Sequence, residues 1–547
     1  MATATRDRRI NKKQFALAAG LVLVLLVLFV CWVLWPGPSI DVLPRTTFVI
    51  EPLGPSGLPD YERFLLESGG EHIPLEDNAA VLLWQACWPA VLSKEEADLM
   101  RSALGGMEAP LIDQVLTPVY NPATEEAMAD WLLSIGALRG KKVAGAEYKA
   151  ADRLIQLSMS RPWKRQQIPL LASWVDKNAE AIDLLVLGSQ RPKLFSPSPD
   201  WLDDEYDTIV GASLPLTQST RSAVRGLCIR AMMHLGEGQA EKALIDARAC
   251  LRLASLTRQG FCFVQQMVAV AAYDNAFRVL AAILHQGEFS QDTLMSVREE
   301  IVSSPPFYES QRILDHGERI SYLDTLIAVK SGKNDSPLRD IGMFIARKAD
   351  WNVAMREGNR MFDKFATVAS RPTRKQRLLG VAELYKELDD LDAAFQSRIF
   401  NGRLLFDSQY CGRAMSNIFL SLMVPAIDVI FDAEDKQATC RQLALTAVDL
   451  AIYRAKQSSY PITLEQLSSE LPIDCFSDEP LIYQRTSDGG YLLYSVFKNE
   501  VDDAGDDYGG EIVDGEWDNG RLDEEQTDIV LRLPVPAFEL SQLIDGE

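Results

Sequence analysis

The chain has 547 residues, of which 47% are hydrophobic and 24% charged, and its formal net charge is -22. That length suits two to four domains of roughly 150 residues each, with a core large enough to need no disulfide staples. The acidic excess excludes the basic footprint of a nucleic-acid binder and fits cations or a basic partner instead.

The first readable element is an apolar run. Phe15 to Trp35 carries no charge, and its 21 positions span about 30 Å as a helix, the thickness of a bilayer core. Arg6, Arg8, Arg9, Lys12 and Lys13 precede it, which places the N-terminus in the cytoplasm and the rest of the chain outside. Trp32 and Trp35 occupy the interfacial belt, and Pro36, Gly37 and Pro38 stop the helix. A cleaved signal peptide is the competing reading. The run is long for one, and Trp-Val-Leu-Trp-Pro is a poor cleavage site.

Pro and Gly then dominate 36–74, which reads as a linker. From Asn78 to about Ser459 the pattern is overwhelmingly helical. The best stretch is Ser222 to Arg258, two apolar faces broken at Gly236 and Gly238, which predicts a helical hairpin. Further helices are expected at 263–285, 291–301, 311–330, 344–366, 375–400 and 433–456. Gly238, Ala243 and Cys250 fall near the small positions of a tetratricopeptide unit. No second copy follows at its period, so a repeat array is not supported.

Chemistry-bearing motifs are sparse in this middle. There is no HExxH, no nucleophile elbow and no glycine-rich phosphate loop. Asp315, His316 and Glu318 form a polar knot on a predicted helix that could serve acid–base chemistry if held in a cleft. Glu387, Asp389, Asp390 and Asp392 read as a solvated stripe, and Arg371, Arg374, Lys375 and Arg377 as a basic loop edge. Of eight cysteines, none are spaced as CxxC. They read as small buried apolar residues, with a Cys228–Cys250 bridge as the sharper alternative in an oxidising compartment.

After Ser459 the texture changes. Tyr460 to Leu467 starts a short helix. Leu481 to Arg485, Gly490 to Ser495 and Asp528 to Leu533 read as three antiparallel strands, the first two joined by a turn at Thr486–Gly489. Between the second and third lies a loop in which thirteen acids over 499–528 face Arg521 alone, among five glycines. Calcium takes six to eight oxygens at about 2.3–2.6 Å, and such a loop is rich in them, though no EF-hand pattern runs through it. The competing reading is a solvated, self-repelling loop.

The order Tyr460-Pro461, Asp474-x-Phe476, Pro480-x-x-Tyr483, Tyr494-Ser495, Asp502-Asp503-x-Gly505 and Asp528-Ile529 resembles the C-terminal part of type II secretion major pseudopilins. The resemblance implies calcium in the acidic loop, with Asp502, Asp503, Asp528 and Ser495 at the matching positions. Phe497 stands where that family has glycine, the loop is longer, and the N-terminus lacks the prepilin cleavage signature, so pilin-like polymerisation is not expected. The whole arrangement, with Asn78-Ala-Ala-Val-Leu-Leu-Trp-Gln85 near its start, also resembles uncharacterised membrane-anchored envelope proteins of planctomycete-type bacteria. That resemblance implies an address and no activity.

The expected fold class is therefore mostly α. It comprises a cytoplasmic tail 1–14, a transmembrane helix 15–35, a linker 36–74, an α-helical domain 75–459, a pseudopilin-like α+β module 460–535 with antiparallel strands, and a tail 536–547. The leading functional expectation is an extracytoplasmic helical scaffold with calcium in its C-terminal module. Its partners would be the bilayer, through Phe15–Trp35, and a protein of the cell envelope, with no nucleic acid. The alternatives are an envelope hydrolase with its site around His316, and an accessory of secretion or pilus-like assembly.

Overall fold

Five helix starts in this chain are written by side-chain caps. Asn78 accepts the Ala80 amide at the start of helix Ala79–Cys87, and Ser93 with Glu96 closes a capping box on Lys94–Ala103. Asn121 caps Pro122–Ser134, Ser290 caps Gln291–Ser303, and Asp350 caps Trp351–Ala369. The computed structural model describes residues 20–25, 27, 37–69, 73–88, 92–105, 115–137, 146–202, 208–212, 214–304, 310–332, 346–396, 407–423, 427–468, 470–506 and 528–540. It is mostly helical, with one small antiparallel sheet near the C-terminus.

The expected hairpin is present as Pro215–Gly236 and Ala240–Thr257, turned at Gly238 with φ +74°. Leu227, Ala231, Ala243, Ala247 and Leu253 are fully buried along it. Helix Phe263–Gln286 packs against both limbs. It is long and apolar enough to cross a membrane, yet 72% of the relevant window is buried inside the molecule, as befits a core helix.

Two apolar cores result. The first gathers Ala79–Cys87, the hairpin, Phe263–Gln286, Gln291–Ser303 and the later part of helix Ile427–Gln457. The second gathers Arg319–Ser331, Trp351–Ala369, Arg374–Gln396, Ser408–Met423 and the beginning of that same helix through Ile427 and Phe431. Ile427–Gln457 is thus a beam shared by both cores.

The sheet has the order β1 (Ile482–Arg485), β2 (Tyr491–Ser495), β3 (Ile529–Leu533), with Leu493 opposite Tyr483 and Leu531. Strand alternation sends Tyr491, Leu493, Ile529, Leu531 and Leu533 into the first core. Leu492, Tyr494 and Val530 form a smaller cluster on the other face. The expected short helix after Tyr460 is a single 3-10 turn, Leu464–Gln466.

The stretch 36–74 departs from the linker expected of it. Residues 37–53 form a strap across the second core, burying Ile40 and Val49, and helix Tyr61–Gly69 follows. The Asn352 amide donates to Ser39 O at 2.8 Å and its oxygen accepts the Asp41 amide at 2.7 Å. Asn359 donates to Thr46 O at 2.8 Å, and the Tyr61 hydroxyl to Thr47 O at 2.7 Å. Proline and glycine here shape an irregular chain whose polar groups are met by side chains from elsewhere. The predicted transmembrane helix falls mostly outside the described residues. Its described part, 20–25 and 27, is helical and exposed, Leu21 by 61% and Val24 by 54%.

Candidate functional site

Past β2 the chain makes a 3-10 turn, Phe497–Asn499, and then three left-handed residues, Glu500, Ala504 and Gly505, that fold the start of the acidic loop back over the outer face of the sheet. Asp502 accepts the Tyr494 hydroxyl at 2.8 Å and the Ala504 amide at 2.9 Å through Oδ1. Asp503 accepts the Asn499 side-chain amide at 2.7 Å. The Asp528 amide donates to Asp506 O at 2.9 Å, which pins the two ends of the loop together.

Asp528 is fully buried. Its Oδ2 accepts the Gly505 amide at 2.8 Å, while Oδ1 has no hydrogen-bond partner. Burial pushes its carboxyl up to about 6, the Gly505 amide and more weakly the Asp503 amide oppose that rise, and the charges of Asp503 and Asp502 add to it. The structure therefore brings Asp502, Asp503 and Asp528 to one end of the sheet. Ser495 lies at the same end but on the other face. It pairs with Ile529 on the core-facing side, one residue out of step with Tyr494, and its hydroxyl accepts the Phe497 amide at 3.1 Å. Its other partner is Asp474, which also accepts the Phe476 and Val496 amides, each at 3.0 Å. Asp474 is thus a buried turn-maker that the sequence marks only as an Asp-x-Phe step. Among the described residues no three His, Cys, Asp or Glu side chains are placed as ligands of one ion. Residues 507–527, which hold most of the loop's acids, lie outside the described residues.

The polar knot does not converge. It sits on a π-helical turn, Ile313–Glu318. Asp315 pairs with Arg319 at 2.6 Å, and Glu318 accepts the Phe263 amide at 3.0 Å, serving a helix start. The His316 side chain is 55% exposed and 3.6 Å from Asp315. Half of the expected loop edge is interior, while Lys375 is exposed and Arg371 half-buried. Arg374 and Arg377 are buried, Arg374 2.9 Å from Asp435 and 2.7 Å from Asp432, and Arg377 also on Asp435. Lys498 reaches Asp432 at 3.0 Å, and Arg374 lies over the Phe476 ring, so this cluster also ties the sheet to the beam. Next to it, Glu434 accepts the Ser310 hydroxyl, and burial pushes its carboxyl up to about 7. The partners are about sixty positions apart in sequence, which is why composition shows only a basic patch.

In the hairpin, Arg230 makes a bidentate pair with Asp246 at 2.7 and 3.1 Å and reaches Asp183 at 2.6 Å. Cys228 and Cys250, both fully buried, place their sulfurs 3.9 Å apart. An open groove of about 540 Å³ is lined by Gln190, Ile245, Arg248 and Arg252. Both arginines already pair with Glu300. No family model, curated protein or solved structure matches this chain.

Proposed function

We propose that the chain is a single-pass, membrane-anchored scaffold, its bulk extracytoplasmic, whose C-terminal sheet carries a calcium-binding loop. The observation that supports the calcium reading is Asp528 Oδ1, a buried carboxylate oxygen that makes no hydrogen bond of ordinary geometry, set beside two more aspartates. Leaving such an oxygen unmet costs about 1–3 kcal/mol or more for a charged group. A hard cation meets carboxylate and carbonyl oxygens. Asp528 through Oδ1 would be one ligand; the carboxylates of Asp502 and Asp503 would have to turn toward it to join, because as placed the three do not converge on one ion, and Ser495 would not. When bound, calcium supplies the positive charge that lets these acids ionise together. The chain's part is to bring the loop's ends to one point, through Asp506 O and the Gly505 amide.

The anchor rests on the uncharged run Phe15–Trp35 and the basic residues before it. The scaffold reading is favoured by how the helical region uses its charges, in ion pairs that join one helix to another. The exposure of His316 removes the support for a hydrolase centred there.

The test is thermal melting of the detergent-solubilised full chain in calcium, in magnesium and in chelator. A ligand that binds only the folded state raises stability by RT ln(1 + [L]/Kd), about 2.7 kcal/mol at a hundredfold excess over Kd. Calcium should raise the melting temperature, and Asp528→Asn, which keeps the shape of the side chain, should abolish the rise. A wild-type melting temperature that ignores millimolar calcium would sink this reading of the loop.

A further inference from the structure

We infer that the face of the second core around the strap lies against the outer surface of the bilayer, with Leu43, Ile50 and Leu53 in the lipid headgroup layer. This rests on the anchor proposed above. The argument is one of slack. The apolar run ends at Trp35, and Gly37 is already fastened to the helical region. Its amide donates to Arg347 O at 2.9 Å. Its backbone approaches so closely that a Cβ there would collide with Ala349 O. The Lys330 ammonium donates to Pro38 O at 3.1 Å, and Asn352 holds Ser39 and Asp41.

Consecutive Cα atoms are about 3.8 Å apart, so Gly37 is within about 8 Å of Trp35. The headgroup region of one leaflet is itself about 5–8 Å deep, the difference between a ~30 Å hydrocarbon core and a ~40–45 Å bilayer. The first attachment point therefore falls inside that layer. A free linker over 36–74 would let the helical region stand well clear of the membrane; the strap leaves no such length.

The strap that begins at that point carries side chains that suit the location. Leu43, Ile50 and Leu53 are 39%, 48% and 48% exposed, and Arg45 and Arg347 are exposed as well. Apolar side chains beside arginines match an interface of acyl chain and phosphate. Asp41 and Glu51 are exposed on the same strap, so charge alone does not draw this face to anionic lipid. The short tether does.

The test places a photo-crosslinking phenylalanine analogue at position 43, 50 or 53, and at 245 on the first core as a control, in the full chain reconstituted into phosphatidylcholine vesicles. Lipid adducts are expected at the three strap positions and not at 245. An alkaline carbonate wash reports separately on the anchor. Absence of strap adducts in chain that survives the wash would overturn the inference and leave the anchor standing. Release by the wash would overturn both. Inserting a flexible Gly-Ser segment between Pro36 and Gly37 should lower the strap adducts several-fold, and an undiminished yield would overturn the tether as their cause.

Discussion

The C-terminal sheet closes the first core and the strap closes the second, and they do so by different means. The sheet brings apolar side chains: Tyr491, Leu493, Ile529, Leu531 and Leu533 are buried among the helices. The strap brings main-chain polar groups, held at Asn352, Asn359 and Lys330, with Ile40 and Val49 as its apolar fasteners. The sheet's attachment is spread over many contacts and scales with area. The strap's attachment is concentrated in a few amide groups. One is hard to loosen at any single residue except by making a cavity; the other is vulnerable at two asparagines.

The sharpest way to break this comparison is Leu493→Ala. A cavity at a fully buried leucine costs about 2–5 kcal/mol. Because the sheet and the helices share one core, the loss should lower one common unfolding transition seen by far-ultraviolet circular dichroism. A separate early transition, with the helical signal unmoved, would show that the sheet is an independent module after all.

The beam between the two cores gives the second test. Glu434 is buried, and its carboxyl is raised from an ordinary 4.5 to about 7, chiefly by burial. The folded state then holds its proton more tightly than the unfolded state does. The stability it contributes is fully present below pH 4.5 and is lost as pH rises through 7, about 3 kcal/mol in all. Urea midpoints should fall across that window in the wild type, and Glu434→Gln should remove this part of the fall. An identical pH profile in the variant would show that Glu434 ionises without cost.

The smallest effect belongs to the strap. Asn352→Ala removes two hydrogen bonds to the chain at Ser39 and Asp41 and should cost about 1–3 kcal/mol. Limited proteolysis should then cut within 37–47 before it cuts the helices. Unchanged protection would mean that Ile40 and Val49 hold the strap by themselves.

Local periodicity made much of this architecture legible. The hairpin, its break near Gly238 and the three strands follow from patterns a few residues long. The grouping of Asp502 with Asp528 is of another kind: it is implied by the resemblance to pseudopilins and not by periodicity, since Asp502 lies beyond the end of β2. What could not be read depends on distant partners. The strap looks like a linker because the amides that satisfy it are 313 positions away. Arg374 and Arg377 look like a surface patch because Asp435 is on another helix. Ser495 was within reach of reasoning from the residues alone: in a strand, the neighbour of Tyr494 must face the other way.

The shared first core also sets an order of events in biosynthesis. Helix Phe263–Gln286 leaves the ribosome midway through synthesis, but β3, which packs against it, is complete only at Leu533. About half of the chain is made in between. At ~5–20 residues per second the interval is tens of seconds. Through it, the side of that helix on which β3 packs has no sheet to cover it. Pairings this far apart in sequence form slowly and leave sticky intermediates. The nascent chain should therefore depend on a holding chaperone until its last strand arrives.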